Sequence, residues 1–214
     1  MTVLIEDGDL LVVDKPPGVL VIPGRGVPGR TLQQEAESHC GAPIWVVHRL
    51  DREASGVVVF AKTAAEHRRL CGLFEKRAVE KIYRAIVLGR LEGEGEAAVP
   101  LKAFGSGRMG PGAGGMACRT RYRSLELFPK ATLLEVRPET GRRHQIRVHL
   151  HGLGHSILGD PLYGRPLPVP GAPRLMLHAF ELAFPAADGR RLSVRAELPA
   201  DFTAVLEGLR APRG

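Results

Sequence analysis

HRLDREASGVVVFAKT, residues 48–63, decides how the chain is read. Its second half, 57–62, is β-branched and apolar, the composition of a buried strand. Thr63 then offers a hydroxyl cap to a helix from Ala64 to about Arg77, where Leu70, Leu73 and Phe74 line one stripe. Asp51 precedes the strand, follows the apolar run 44–47 and sits between Arg49 and Arg52. A carboxylate beside cations is held ionised and can act as nucleophile or base. The same position suits a strand-end Asp in a structural salt bridge, a commoner arrangement. Local chemistry leaves both open.

Outward from this stretch, strands dominate. Residues 7–24 (DGDLLVVDKPPGVLVIPG) read as a β-rich segment broken by a Pro-Pro-Gly turn, since Pro16 and Pro17 cannot feed a central ladder. Thr31 can cap a short helix to about Cys40, with Leu32 and Ala36 on one face. Further strands are expected at 83–88, 119–127, 132–137, 174–184 and 192–198, with a tight turn at Asp188-Gly189. Residues 104–117 (FGSGRMGPGAGGMA) hold six glycines and read as an exposed loop within the domain. In 144–154 the pattern fits strand and helix alike. The glycines that follow, and Thr140-Gly141 before it, favour a helix. Helices do not alternate regularly with strands, so the expected class is α+β, a large, mixed, mostly antiparallel sheet flanked by helices and loops.

The 214 residues suit one domain over 1–214, compact or split into two lobes, and 44% apolar content allows a real core. No apolar run is long enough to span a bilayer, and the acidic start lacks the features of a secretory signal. Three scattered cysteines suggest no disulfide framework, so a cytoplasmic, monomeric protein is the default expectation. The net charge is +7, and residues 119–147 carry +5 of it, with eight cations against three acids. That window suits a polyanionic partner or a merely solvated face. Arg outnumbers Lys 24 to 6, which a GC-rich genome explains as well as phosphate recognition does.

Five segments, in order, then change the reading of Asp51. DLLVVDKPPGVLV (9–21), HRLDREASGVVVFAKT (48–63), KIYRAIVLG (81–89), ETGRRHQIRVHLHGLGHSILGDPLYG (139–164) and RLMLHAFELAF (174–184) together resemble the RluA-like pseudouridine synthases. The resemblance spans nearly the whole chain. Three positions depart from the usual pattern: Ala54 and Arg143 stand where Thr is usual, and Ser156 where Pro is usual. The chain opens directly on the catalytic-type segment, so a form without the small N-terminal S4-type RNA-binding domain is expected.

The resemblance implies the pseudouridine synthase catalytic fold, with two lobes around a central RNA-binding cleft. It implies isomerisation of uridine to pseudouridine in RNA with Asp51 as the catalytic carboxylate, acting on either sugar or base. Tyr83 matches the family's active-site tyrosine, which stacks on the uracil, and Arg147 the arginine paired with the catalytic Asp. Arg49 matches a position that contacts RNA and helps hold the target nucleotide flipped from its stack. Arg142 and Arg143 are candidates for phosphate contact by their charge, and Arg52, His144 and Gln145 complete the candidate RNA-binding set. The expected partner is a ribosomal or transfer RNA stem-loop, with no membrane. Isomerisation needs no redox group, metal or donor, so no cofactor is expected, and residues 104–117 lack GxxxxGK[ST] and GxGxxG spacing.

Two alternatives stand beside this reading. An RNA-binding protein without catalysis would keep the basic window and need no Asp51; Ala54 motivates it. A metal-dependent hydrolase would use His144, His149, His151 and His155 with Asp160, though their spacing meets no established ligand pattern.

Overall fold

The computed structural model describes residues 1–24, 26, 28–105, 107–164 and 172–211. Among these, the elements run β1 (Thr2–Glu6), β2 (Leu10–Lys15), α1 (Leu32–Cys40), β3 (Trp45–Val46), β4 (Ser55–Ala61), α2 (Ala64–Glu75) and β5 (Glu80–Leu88). They continue through β6 (Glu94–Ala97), β7 (Leu101–Ala103), β8 (Met109–Pro111), β9 (Thr120–Leu127), β10 (Ala131–Pro138) and α3 (Gln145–Gly152). β11 (Leu177–Pro185), β12 (Arg191–Arg195) and α4 (Ala200–Arg210) complete the order. This is the expected α+β class. The chain divides into two compact units, Met1–Lys81 with Ala179–Glu197, and Ile82–His178 with Leu198–Gly214.

In the first unit the strands run β1-β2-β4-β11, with β3 on β4 and β12 on β11. β2 and β4 are antiparallel, Val12 opposite Val59. All seven residues of β4 are buried, which is why its sequence is apolar on both faces. One face packs Leu10, Val12, Val57, Val59, Leu182 and Phe184 into a core that α2 covers through Leu70, with Leu73 and Phe74 against its margin. Complete burial of a side chain such as Phe184 stabilises by roughly 2–3 kcal/mol. Thr63 caps α2 by accepting the Glu66 N–H at 3.2 Å. Thr31 and Gln34 form a reciprocal capping box on α1.

The Pro-Pro-Gly segment differs from expectation. β2 is its first arm, but the second is no strand. Leu20 and Val21 instead turn their carbonyls to the N–H groups of Leu32 and Gln33, which no residue within α1 can satisfy. β1, which the sequence reading did not include, pairs antiparallel with β2.

In the second unit β10 lies between β5 and β9, and β6 pairs the far side of β9, all antiparallel. The ambiguous segment is the helix α3, as expected, although its start is unusual. His144 takes a left-handed conformation (φ 54°) at the N-cap, and Thr140 reaches the helix by donating to Gln145 Oε1 at 2.6 Å.

The glycine-rich run is not the simple exposed loop expected. β7 and β8 form a two-stranded ribbon, and Leu101, Met109, Cys118, Val148 and Tyr163 make a buried cluster beneath it. Glycine is what permits this: a Cβ on Gly115 would lie 2.9 Å from the Leu101 backbone. α4 was also unforeseen. It buries Phe202, Val205 and Leu206, and Arg174 and Arg210 grip Asp201 and Glu126 at its two ends.

Candidate active site

Asp51 lies half-buried on the turn between β3 and β4, in the first unit. The turn is braced through its backbone. The Gly18 N–H donates to Arg52 O at 2.9 Å, Arg52 Nε donates to Gly18 O at 3.0 Å, and the Ala54 N–H donates to Asp51 O at 3.2 Å. Lys15, at the end of β2, is fully buried and donates to the carbonyls of Pro16, Val19 and Arg52 at 2.8–3.0 Å. One ammonium therefore ties the Pro-Pro-Gly turn to the residue beside Asp51. Sequence reading missed Lys15, although an apolar strand ending in Lys before Pro-Pro was a visible oddity.

His48 braces the other side. After Val46 the chain leaves its ladder with β4, and the His48 ring takes over by accepting the Val59 N–H on Nε2 at 3.0 Å. The ring also stacks on Phe74, with centroids 4.9 Å apart. An accepting Nε2 carries no proton, and burial, with the nearby Lys81 charge, pushes the imidazole down to about 4. An unfolded histidine titrates near ~6.5. The neutral form stabilises the fold fully above that value, and the contribution is lost as pH falls toward 4. We expect about 2 kcal/mol of stability to disappear between pH 7 and pH 4 through this group. Urea unfolding of wild type and His48→Gln checks it; equal pH slopes in the two proteins would contradict it.

Tyr83, on β5 opposite Val136, and Arg147, on α3, belong to the second unit. Arg147 is 4% exposed and makes a two-pronged ion pair with Asp160, Nε to Oδ2 at 2.8 Å and Nη2 to Oδ1 at 2.7 Å. Burial would raise the Asp160 carboxyl, but Arg147 and the amides of Leu162 and Tyr163 outweigh it and hold it below the usual range. Asp160, which the sequence reading placed only in a metal alternative, thus fixes the Arg147 side chain.

Gln145, expected to meet RNA, is 3% exposed and bonded on all sides. Its amide donates to Arg119 O and Thr120 Oγ1, and its Oε1 accepts from Thr140 and the Arg142 N–H. Such a residue shapes the loop that carries Arg142 and Arg143. His144 sits 2.9 Å from the Tyr163 hydroxyl. Arg49, Arg52, Arg142 and Arg143 are exposed. Of the atypical positions, Ala54 is buried, and the Ser156 hydroxyl donates to Tyr163 O at 2.9 Å.

The basic window is less open to a polyanion than its formal +5 suggests. Arg119 and Arg121 pair with Glu96 and Glu139, while Arg123, Arg137 and Arg84 surround Glu135. Cross-strand register sets these pairs: Arg123 stands opposite Glu135 and Arg121 opposite Glu96. The four histidines proposed for a metal do not converge. His149 meets Thr120 and Val99, His151 meets Ser156, and His155 meets Leu88 O. Among the described residues no group of three or more His, Cys, Asp or Glu is placed to hold an ion, and no helix is long and apolar enough to cross a membrane.

Comparison with known proteins bears directly on this arrangement. A family model described as RNA pseudouridylate synthase matches residues 9–152. A ribosomal large subunit pseudouridine synthase D of Nitrosomonas europaea is 39% identical over 98% of this chain and 65% of its own length. The protein of the same name from Pseudomonas aeruginosa is 36% identical over 100% of this chain and 73% of its own. Among solved structures, human RNA Pseudouridylate Synthase Domain Containing 4 superposes with a TM-score of 0.81 at 28% identity, covering 98% of this chain and 93% of that one. Human RNA Pseudouridylate Synthase Domain Containing 1 gives 0.78 at 26%, covering 99% and 95%.

Proposed function

The chain belongs to the RNA pseudouridylate synthase family, and on that premise we propose that it isomerises uridine to pseudouridine in the RNA of the large ribosomal subunit. The observation that carries the reading is the turn of Asp51, a carboxylate presented on a backbone braced by Lys15, Gly18 and His48. A group that must meet a reacting atom benefits from being held in place before substrate arrives.

The reaction breaks the bond between ribose C1′ and N1 of uracil, turns the base, and forms the C1′–C5 bond. The proton on C5 is lost and N1 gains one, so composition is unchanged and no cofactor is called for. Asp51 supplies the carboxylate that starts cleavage, as nucleophile toward the sugar or the base. Tyr83 stacks on the uracil and assists removal of the C5 proton, and Arg147 holds the site's negative charge in register. Arg49, Arg52, Arg142 and Arg143, with His144, take the phosphates, where charge dominates affinity. Gln145 acts behind them as a scaffold.

Ribosomal RNA, and not transfer RNA, is favoured by the names of the relatives and suits the cytoplasmic location expected from composition. Purified chain incubated with transcripts of large-subunit ribosomal RNA and of transfer RNA, followed by carbodiimide treatment and primer extension, tests the choice. New stops in the ribosomal transcript are expected. Stops confined to transfer RNA would overturn the substrate.

A further inference from the structure

Tyr163 is a junction within the second unit. The Arg147 guanidinium lies over its ring, 5.2 Å from the centroid. Its hydroxyl accepts the Met109 N–H at 2.8 Å and lies 2.9 Å from His144 Nδ1. Its own N–H donates at 3.0 Å to Asp160 Oδ1, the oxygen that also receives Arg147 Nη2. Met109 belongs to β8, so the tyrosine joins the ribbon that carries Lys102 and Arg108 to the arginine of α3. Three properties of these contacts matter. They are buried, since Met109, Arg147, Asp160 and Tyr163 are each less than a tenth exposed. They are directional, since the carboxylate meets Nε and Nη2 as a fork that fixes the guanidinium plane. Two of them, from Met109 and His144, meet at the Tyr163 hydroxyl, which Met109 reaches across 54 residues of sequence.

We propose that Asp160 and Tyr163 are positioning residues for the isomerisation, Asp160 by fixing the plane of Arg147 and Tyr163 by holding the β7–β8 ribbon in register with it. The inference rests on the reading of the chain as a synthase with Arg147 in its site. The two residues then act on different quantities. Asp160 sets the plane of the arginine, and asparagine spares its bonds to the Leu162 and Tyr163 amides, so loss of its charge is felt in turnover. The Tyr163 hydroxyl governs the ribbon, so its loss is felt in the hold on RNA, while its ring stays beneath the guanidinium.

The test is steady-state kinetics on ribosomal RNA with Asp160→Asn and Tyr163→Phe, each with a thermal melt. Asparagine keeps an oxygen for the amides of Leu162 and Tyr163 but turns an NH2 toward Arg147. We expect kcat to fall about 30-fold with KM within about twofold. Phenylalanine should raise KM about tenfold and leave kcat within about twofold. A merely structural role would lower Tm and the active fraction together in both, with no split between kcat and KM, and that result overturns the proposal. Should Asp160→Asn fail to fold, an unchanged KM in Tyr163→Phe overturns it alone. A wild-type protein that makes no pseudouridine would count against the synthase reading itself. An active wild type with unmoved variants would count against the inference only.

Discussion

Replacing Asp51 by asparagine is expected to lower pseudouridine formation by about 10⁴-fold or more while leaving the fold and RNA binding in place. The size follows from the role: an amide is neither nucleophile nor base, and a reaction that starts with a carboxylate has no substitute for it. The survival of the fold follows from the geometry. Asparagine keeps the shape of aspartate, and the turn is held by the Lys15 ammonium on Arg52 O, by the two Gly18–Arg52 hydrogen bonds and by His48 on Val59. Turnover of radiolabelled RNA and retention on a filter measure the two properties separately. An Asp51→Asn protein that turns over within tenfold of wild type would remove Asp51 from the mechanism.

Gly56→Ala should destabilise the fold by about 3 kcal/mol or more. Gly56 has φ +112°, a conformation that side chains rarely adopt, and an added Cβ would stand 2.2 Å from Ala179 O and 2.7 Å from Ala179 N and C. The obstacle is backbone of β11 and cannot swing aside as a side chain would. For a chain of this size each kcal/mol moves Tm by roughly 2–4 °C, so a fall of about 6–12 °C is expected by calorimetry. A variant melting with wild type would mean that β4 and β11 do not approach as described.

Much of the fold was legible because local signals agreed with it. β4 and α2 could be read from β-branched content and from Thr63 ahead of a helical stripe, and α1 from Thr31 with Leu32 and Ala36. The ribbon was not legible, since its glycines carry no local preference for strand. It is fixed by Tyr163 and Val148, which only the folded chain brings beneath it. α4 did carry a signal, in the spacing of Phe202, Val205 and Leu206 after Pro199, that went unused.

The candidate site divides the same way. Asp51, Tyr83 and Arg147 were named from family likeness, and local chemistry alone left Asp51 between catalysis and a salt bridge. What sequence could not supply is the support behind them. Lys15 and His48 act through backbone groups whose positions depend on strand register. Asp160 acts through a fork to an arginine thirteen residues earlier. The basic window was left open between a polyanion site and a solvated face because a charge sum cannot show pairing: register sets Glu96, from outside the window, opposite Arg121 and gathers Arg84, Arg123 and Arg137 around Glu135.

Tritium release from ribosomal RNA transcribed with C5-tritiated uridine tests the central claim most directly, because the C5 proton leaves only if the base is rejoined through that carbon. The measurement is made on purified chain with a chelator and no added cofactor, beside Asp51→Asn. Release from wild type approaching one tritium per target uridine, and none from the variant, is the result this account expects. No release from wild type, or equal release from the two proteins, would contradict it.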